Sequence, residues 1–272
     1  MKPITRYCIS HAEPMLPPYW FDDAIALGEY EEESPLHISR LHNFWHKNRS
    51  LSFGAAGSYA LPRALEQLPP EYQLVGICSY RKAILRRPLG RPSESYPTMR
   101  EMERHEAEPL DASEMSPTGE HEFLLAQPRH FPTGLFHQYA LVHELVDLLD
   151  YTSLAINNGI LDKAAAADFV REQVIIPGGC ELGIYPRQWL AGTLSALSTL
   201  GKTFLETYGS RIRGYNIYQI RAVGFLSERL GSFLLMRELK RRYPQGAPPE
   251  VFGHMTCIIE DGRTYAASTT NT

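Results

Sequence analysis

The densest group of chemically capable side chains falls in one short block, Arg221-Ala-Val-Gly-Phe-Leu-Ser-Glu228-Arg229-Leu230. It sets two guanidinium groups and a carboxylate around the entrance of an otherwise apolar helix. Such a group either ties the helix to its neighbours as an ion pair or handles an anionic substrate. With Arg229 adjacent and Arg221 upstream, Glu228 is expected to keep its charge near neutral pH, because nearby cations favour the ionised form. A second row, Tyr139, His143 and Asp147, recurs at i, i+4 and i+8 and would share one face of a helix over 135–149. That row either lines a site or is a half-buried helix face with satisfied polar groups. His42 and His46 would also share a helix face, the geometry of a two-histidine metal pair. No H-E-x-x-H glutamate or third ligand accompanies them, which favours a solvated helix or an anion-binding patch.

The fingerprints of the commonest nucleotide and hydrolase folds are missing. The sequence contains no G-x-x-x-x-G-K-[ST] loop, no G-x-G-x-x-G after the first strand and no G-x-S-x-G elbow. There is no D-x-D: Asp22 and Asp23 are adjacent, and two leucines separate Asp147 from Asp150. Two oxygen ligands on one turn are what hold a hard cation on a diphosphate. No metal ligand is therefore assigned, and dependence on a divalent metal stays open.

The elements that must position these groups read as alternating strands and helices. Short apolar runs bounded by polar residues or proline predict strands at 6–10, 74–79, 122–126, 174–176 and 180–185. Helices are expected at 60–67, 135–149, 163–172, 187–208 and 225–242, the last with Leu226, Leu230, Phe233 and Leu234 inward and a basic final turn. Residues 255–260, Asp261-Gly262 and 263–267 carry a hairpin signal. Between them, 86–119 is rich in proline and charge with little periodicity and reads as a long mobile loop. Strands interleaved with helices argue for an α/β fold, a mixed sheet flanked by helices with a C-terminal helix and hairpin. At 272 residues, one domain over 1–272 accommodates it. In open α/β sheets ligands sit beyond the carboxyl ends of the strands, which draws attention to Ser10-His11 and to Tyr80-Arg81-Lys82.

Composition narrows the class. With 27 basic against 31 acidic residues and a formal charge of −4, the chain lacks the basic surplus that neutralising a nucleic-acid backbone requires. Cys8, Cys78, Cys180 and Cys257 form no C-x-x-C pair and are expected to be reduced, buried thiols of a cytoplasmic protein. The first residues carry no secretory signal, and no window approaches the roughly 18 uninterrupted apolar residues of a membrane span.

The order of several blocks carries a resemblance. Val75-Gly-Ile-Cys-Ser-Tyr-Arg81 is followed by a strand ending in Pro128-Arg129, then Gln138-Tyr139 with His143 and Asp147, then Ile184-Tyr-Pro-Arg187, and finally Gly224-Phe-Leu-Ser-Glu-Arg-Leu230. From about residue 74 to 235 this resembles a bacterial family described as capsular-polysaccharide or lipopolysaccharide glycosyltransferases. Ser79 stands where that family has a histidine, and Lys82 where it has a second arginine. The resemblance implies a GT-A-like fold with a nucleotide-sugar donor over the carboxyl ends of the strands and a hydroxyl acceptor. It makes Arg81, Lys82, Arg129, Arg221 and Arg229 candidates for holding the leaving diphosphate, and Ser10, His11 and Tyr80 candidates for contacting the nucleotide. Glu228, Asp147 and His143 become the candidate catalytic groups. Two other functions fit the same residues: a catalytically silent carbohydrate- or nucleotide-binding relative, and a transferase acting on modified bases of phage-type DNA.

Overall fold

The computed structural model describes residues 2–264. Its strands are β1 (Ile4–Ser10), β2 (Asp23–Ala26), β3 (Leu74–Ser79), β4 (Lys82–Leu85), β5 (Arg91–Pro92), β6 (Met99–Glu103), β7 (Leu125–Ala126), β8 (Arg129–His130), β9 (Val174–Ile175), β10 (Gly183–Pro186) and β11 (Phe252–Ile259). The helices are α1 (Ile38–Leu41), α2 (Asn43–Lys47), α3 (Arg49–Ser52), α4 (Ala55–Glu66), α5 (Arg104–Ala107), α6 (Gly134–Val142), α7 (Leu145–Asn157), α8 (Lys163–Arg171), α9 (Arg187–Arg213) and α10 (Ala222–Arg242). The result is a mixed parallel and antiparallel sheet flanked by helices.

β1 lies between β2 and β3, parallel to both, with Tyr7 opposite Asp23 on one side and Ile77 on the other. Parallel neighbours need a crossover, and α1 to α4 supply it between β2 and β3. β10 runs antiparallel to β3. A tight turn at Tyr80-Arg81 sends β3 into β4, which pairs antiparallel with β11; β11 is parallel to β6 and to β7. Strand side chains alternate between faces, and the two cores follow that period. Tyr7, Ile9, Val75 and Ile77 face a large core with α4, α7, α9 and α10, while Cys8 and Cys78 face a smaller one with Trp20, Met102, Ala107 and Met115. All four cysteines are buried free thiols.

Four sequence expectations change. The single helix over 135–149 is two helices, broken at His143, which is extended (φ −142°, ψ 171°). Tertiary contacts override local helix propensity there: the His143 ring stacks on Phe225 while Asp147 is drawn to Arg211. Residues 174–176 contribute β9, which among the described residues pairs with β8 alone, outside the main sheet. The segment 86–119 is not a featureless loop: it contributes β5, β6 and α5, and Met102, Ala107 and Met115 are buried in the smaller core. Periodicity hid it because its buried residues include a carboxylate, Glu101, which accepts from the Ser93 hydroxyl at 2.7 Å and pairs with Arg91 at 3.4 Å. Finally, 255–260 belongs mainly to β11, whose partners are β4, β6 and β7, so the C-terminal hairpin is not formed by the described residues. Arg263 and Thr264 lie outside any strand, and 265–267 fall beyond the described residues.

Candidate active site

The parallel strands β1 and β3 end side by side, and beyond their carboxyl ends opens a cleft of about 910 Å³, within the size range of small-molecule sites. Backbone bonds fix its floor. The Tyr80 carbonyl accepts from the Met15 N–H at 2.7 Å, and the Arg81 carbonyl from the Ile258 N–H at 2.7 Å. These clamp the β3–β4 turn, so Tyr80, Arg81 and Lys82 reach the cleft together. His11 enters from the end of β1 and meets Tyr80 edge-on, with ring centroids 4.8 Å apart, and the Arg81 guanidinium lies 5.2 Å from the Tyr80 ring. Burial, then the charges of Arg49 and Arg81, lower the His11 pKa, so this imidazole is neutral near pH 7.

Six cations line the cleft: Arg49, Arg81, Lys82, Arg129, Arg221 and Arg229. They face two carboxylates, Glu181 and Glu228. A chain that is net negative overall has thus gathered positive charge in its concavity, where low-dielectric walls focus the field on an anionic ligand. The guanidinium groups are held by aromatic rings, which suits Arg because its planar group stacks. Arg129 lies 4.8 Å from the Phe131 ring and 5.7 Å from Tyr96; Arg221 lies 4.8 Å from Tyr218 and 5.1 Å from Phe53. The Tyr96 hydroxyl is pushed up to about 12, first by burial and then by the charge of Glu228. The segment 86–119 therefore builds one wall of the cleft.

Arg229 is anchored on several sides. Its Nε and Nη2 donate to Gln138 Oε1, both at 3.2 Å, its Nη1 donates to the Phe225 carbonyl at 2.9 Å, and it lies 5.1 Å from the Tyr139 ring. The fourth tie runs through His143. Gln219 Nε2 donates to the Val142 carbonyl at 2.7 Å, which turns Gln219 Oε1 toward His143 Nδ1 at 3.1 Å. Nδ1 must then carry the proton, and Nε2 accepts from Arg229 Nη2 at 3.3 Å. Burial, with Arg229 and Arg221 adding to it, pushes His143 down to about 3. Both nitrogens of this neutral imidazole are thus engaged, one with Gln219 and one with Arg229.

Of the residues singled out from the sequence, His11, Tyr80, Arg81, Lys82, Arg129, His143, Arg221, Glu228 and Arg229 all line this one cleft. Of the candidate catalytic and donor-binding groups, two do not reach it. Ser10 is fully buried and its hydroxyl is spent within its own loop, bonded to the carbonyl and the N–H of Ala12. Asp147 is 1% exposed and pairs with Arg211 Nη2 at 2.6 Å, and Tyr215 Oη donates to it at 3.3 Å. The break at His143 rotates Asp147 away from the histidine that the helical spacing had placed beside it. Sequence reasoning missed Arg49, Tyr96, Tyr218 and Glu181. Glu181 alone carried a signal, lying in Pro177-Gly-Gly-Cys-Glu181, where paired glycines mark a tight loop. The histidines of the α1–α2 region hold local structure: His37 Nε2 meets the Gly28 carbonyl at 2.9 Å, and its ring lies 5.6 Å from that of His46. Among the described residues, no group of three or more His, Cys, Asp or Glu side chains is placed to hold a metal ion. No helix among them is long and apolar enough to cross a membrane.

No family model matches the sequence, and no curated protein does. Among solved structures, the chain is similar to WbbM, a bifunctional glycosyltransferase in its apo form, with a TM-score of 0.64 at 12% identity. The match covers 94% of this chain and 45% of that one, so the chain spans less than half of its neighbour's length. At that identity the likeness speaks for the fold, and the chain has a glycosyltransferase-like α/β fold.

Proposed function

We propose that this protein transfers a sugar from a nucleotide-sugar donor to a hydroxyl acceptor, a growing glycan, with the donor laid GT-A-like over the carboxyl ends of β1 and β3. The observation that carries this reading is the meeting of six cations with two carboxylates in one cleft at those strand ends. Leaving-group departure places growing negative charge on a diphosphate, and preorganised cations stabilise it where it develops. Arg81, Lys82, Arg129, Arg221 and Arg229 supply that charge, and Tyr80 with His11 offers rings against the base. The acceptor hydroxyl needs a proton acceptor within reach, and the carboxylates of the cleft provide one. His143 holds Arg229 in place, and Asp147 belongs to the scaffold.

A panel of nucleotide sugars tests the reading. The donor that fits raises the melting temperature by binding the native state and releases its nucleoside diphosphate, slowly with water and faster with an oligosaccharide acceptor. A donor that shifts the melting temperature without any diphosphate release, with or without acceptors, would mark the chain as a binding module. Retardation of DNA that weakens steeply between two salt concentrations, with no donor in the panel bound, would instead favour a nucleic-acid acceptor.

A further inference from the structure

The loop Pro177-Gly178-Gly179-Cys180-Glu181-Leu182 joins β9 to β10 and presses against the turn of α10 that carries Glu228. Gly178 and Gly179 take positive φ (83° and 49°), and a Cβ on Gly179 would lie 2.6 Å from the Glu228 carbonyl oxygen. From below, the Tyr185 hydroxyl meets the carbonyls of Gly179 at 2.8 Å and Leu182 at 2.6 Å, and the Glu181 N–H donates to the Gly178 carbonyl at 2.6 Å. The backbone on both sides of Glu181 is thereby fixed, and its side chain lines the cleft.

The two cleft carboxylates differ in what holds them. Glu228 Oε1 accepts the Gly178 N–H at 2.9 Å and Oε2 lies 4.0 Å from Arg229 Nη1, so its lone pairs serve the loop and the arginine. Among the described residues, no lysine or arginine lies within ion-pair distance of Glu181. We propose that Glu181, and not Glu228, takes the proton of the acceptor hydroxyl in the transfer described above, with Glu228 positioning the loop that carries it. The assignment rests on that reading of the cleft as a glycosyltransferase site.

The step balances as one displacement. The acceptor O–H bond breaks as its proton passes to a Glu181 carboxylate oxygen. The oxygen's electron pair forms the bond to the anomeric carbon. The bond from that carbon to the diphosphate oxygen breaks, its electrons leaving with the diphosphate. Glu181 then returns the proton to solvent. The anomeric configuration inverts.

The surroundings fit this role. Burial raises the Glu181 carboxyl to about 8, and the negative charge of Glu228 pushes the same way. The other titratable groups facing it are Tyr59 of α4, Tyr151 of α7, Tyr185 of β10 and the adjacent Cys180, all raised by burial and therefore neutral near pH 8. Arg229 stands beside Glu228, and among the described residues no salt bridge reaches Glu181. A carboxylate this basic is a better match to a hydroxyl proton than an ordinary one, and it must shed its own proton first.

The experiment follows turnover of the donor found by the panel against pH, for the wild type and three variants. Wild-type kcat should rise with pH to a plateau above about 8, and the product anomer should be inverted by NMR. Glu181→Gln should lower kcat at least about 100-fold, the usual scale of general-base loss, with the donor-induced melting shift retained. Glu181→Asp, which keeps a carboxylate one methylene shorter, should recover part of that loss. Glu228→Gln removes the like charge and should move the acid limb to lower pH while losing less activity than Glu181→Gln. Turnover by Glu181→Gln within tenfold of wild type, a limb unmoved in Glu228→Gln, or a retained anomer would overturn the assignment while leaving the functional reading intact. A wild type that turns over no donor would overturn both.

Discussion

Replacing Asp147 by asparagine separates a scaffold role from a catalytic one. The carboxylate is 1% exposed and meets Arg211 at 2.6 Å; Arg211 also reaches Asp150 at 2.8 Å, and Tyr215 lies 3.3 Å away. Burial pushes the Asp147 carboxyl up against the pull of Arg211, so desolvation consumes part of what the pair contributes. Removing one partner of a fully buried pair costs about 3–5 kcal/mol. Here Arg211 is 31% exposed and keeps Asp150, and an asparagine oxygen still accepts a hydrogen bond. The expected loss is therefore that of one charge-assisted bond, about 2 kcal/mol. For a chain of this size that lowers the melting temperature by roughly 4–8 °C. Calorimetry and urea midpoints read the loss, and turnover per folded molecule, measured well below the transition, should stay within about twofold of wild type. A drop of a hundredfold or more in kcat with an unchanged melting temperature would refute the placement of Asp147 outside the chemistry.

Two further outcomes follow from the same geometry. His143 titrates near 6.5 when unfolded and near 3 when folded. The folded state thus resists a proton that the unfolded chain takes up, and the histidine's contribution is complete above about pH 6.5 and lost as pH falls toward 3. Urea midpoints between pH 7 and 4.5 should fall less in His143→Gln than in wild type, and parallel curves would show that the ring protonates freely. Gly179→Ala places a Cβ 2.6 Å from the Glu228 carbonyl at φ +49°. It should cost about 1–3 kcal/mol of stability and lower kcat by displacing Glu181; a variant that unfolds and turns over as wild type does would show that the loop has slack.

Much of the cleft was legible because its residues sit at element ends. Tyr80-Arg81-Lys82 closes an apolar run, and Arg221, Glu228 and Arg229 surround the start of a strongly apolar helix. A run of alternating burial must end in polar residues, and strand ends converge wherever strands are parallel, so local pattern sufficed to place His11, Tyr80, Arg81 and Lys82 together, while packing brought Arg129, His143, Arg221, Glu228 and Arg229 to the same cleft. Strands β1 and β3 were visible for the same reason: Tyr7, Ile9, Val75 and Ile77 alternate with the residues of the opposite face.

Other features were decided only by packing between distant segments. A helical period places His143 and Asp147 on one face, but the stacking of His143 on Phe225 at 4.1 Å and the pairing of Asp147 with Arg211 break the helix between them. No window of sequence contains both partners of either contact. Strand β6 escaped notice because its buried Glu101 is satisfied by Ser93 and Arg91, which makes a core strand look like a charged loop. Glu181 owes its raised pKa to walls drawn from α4, α7, β10 and α10, and to a like charge 47 positions away. The sequence determined which residues could do chemistry and the strand ends where many of them gather. The tertiary structure decided which carboxylate is buried beside a like charge, because desolvation and charge are sums over neighbours that only the folded chain brings together.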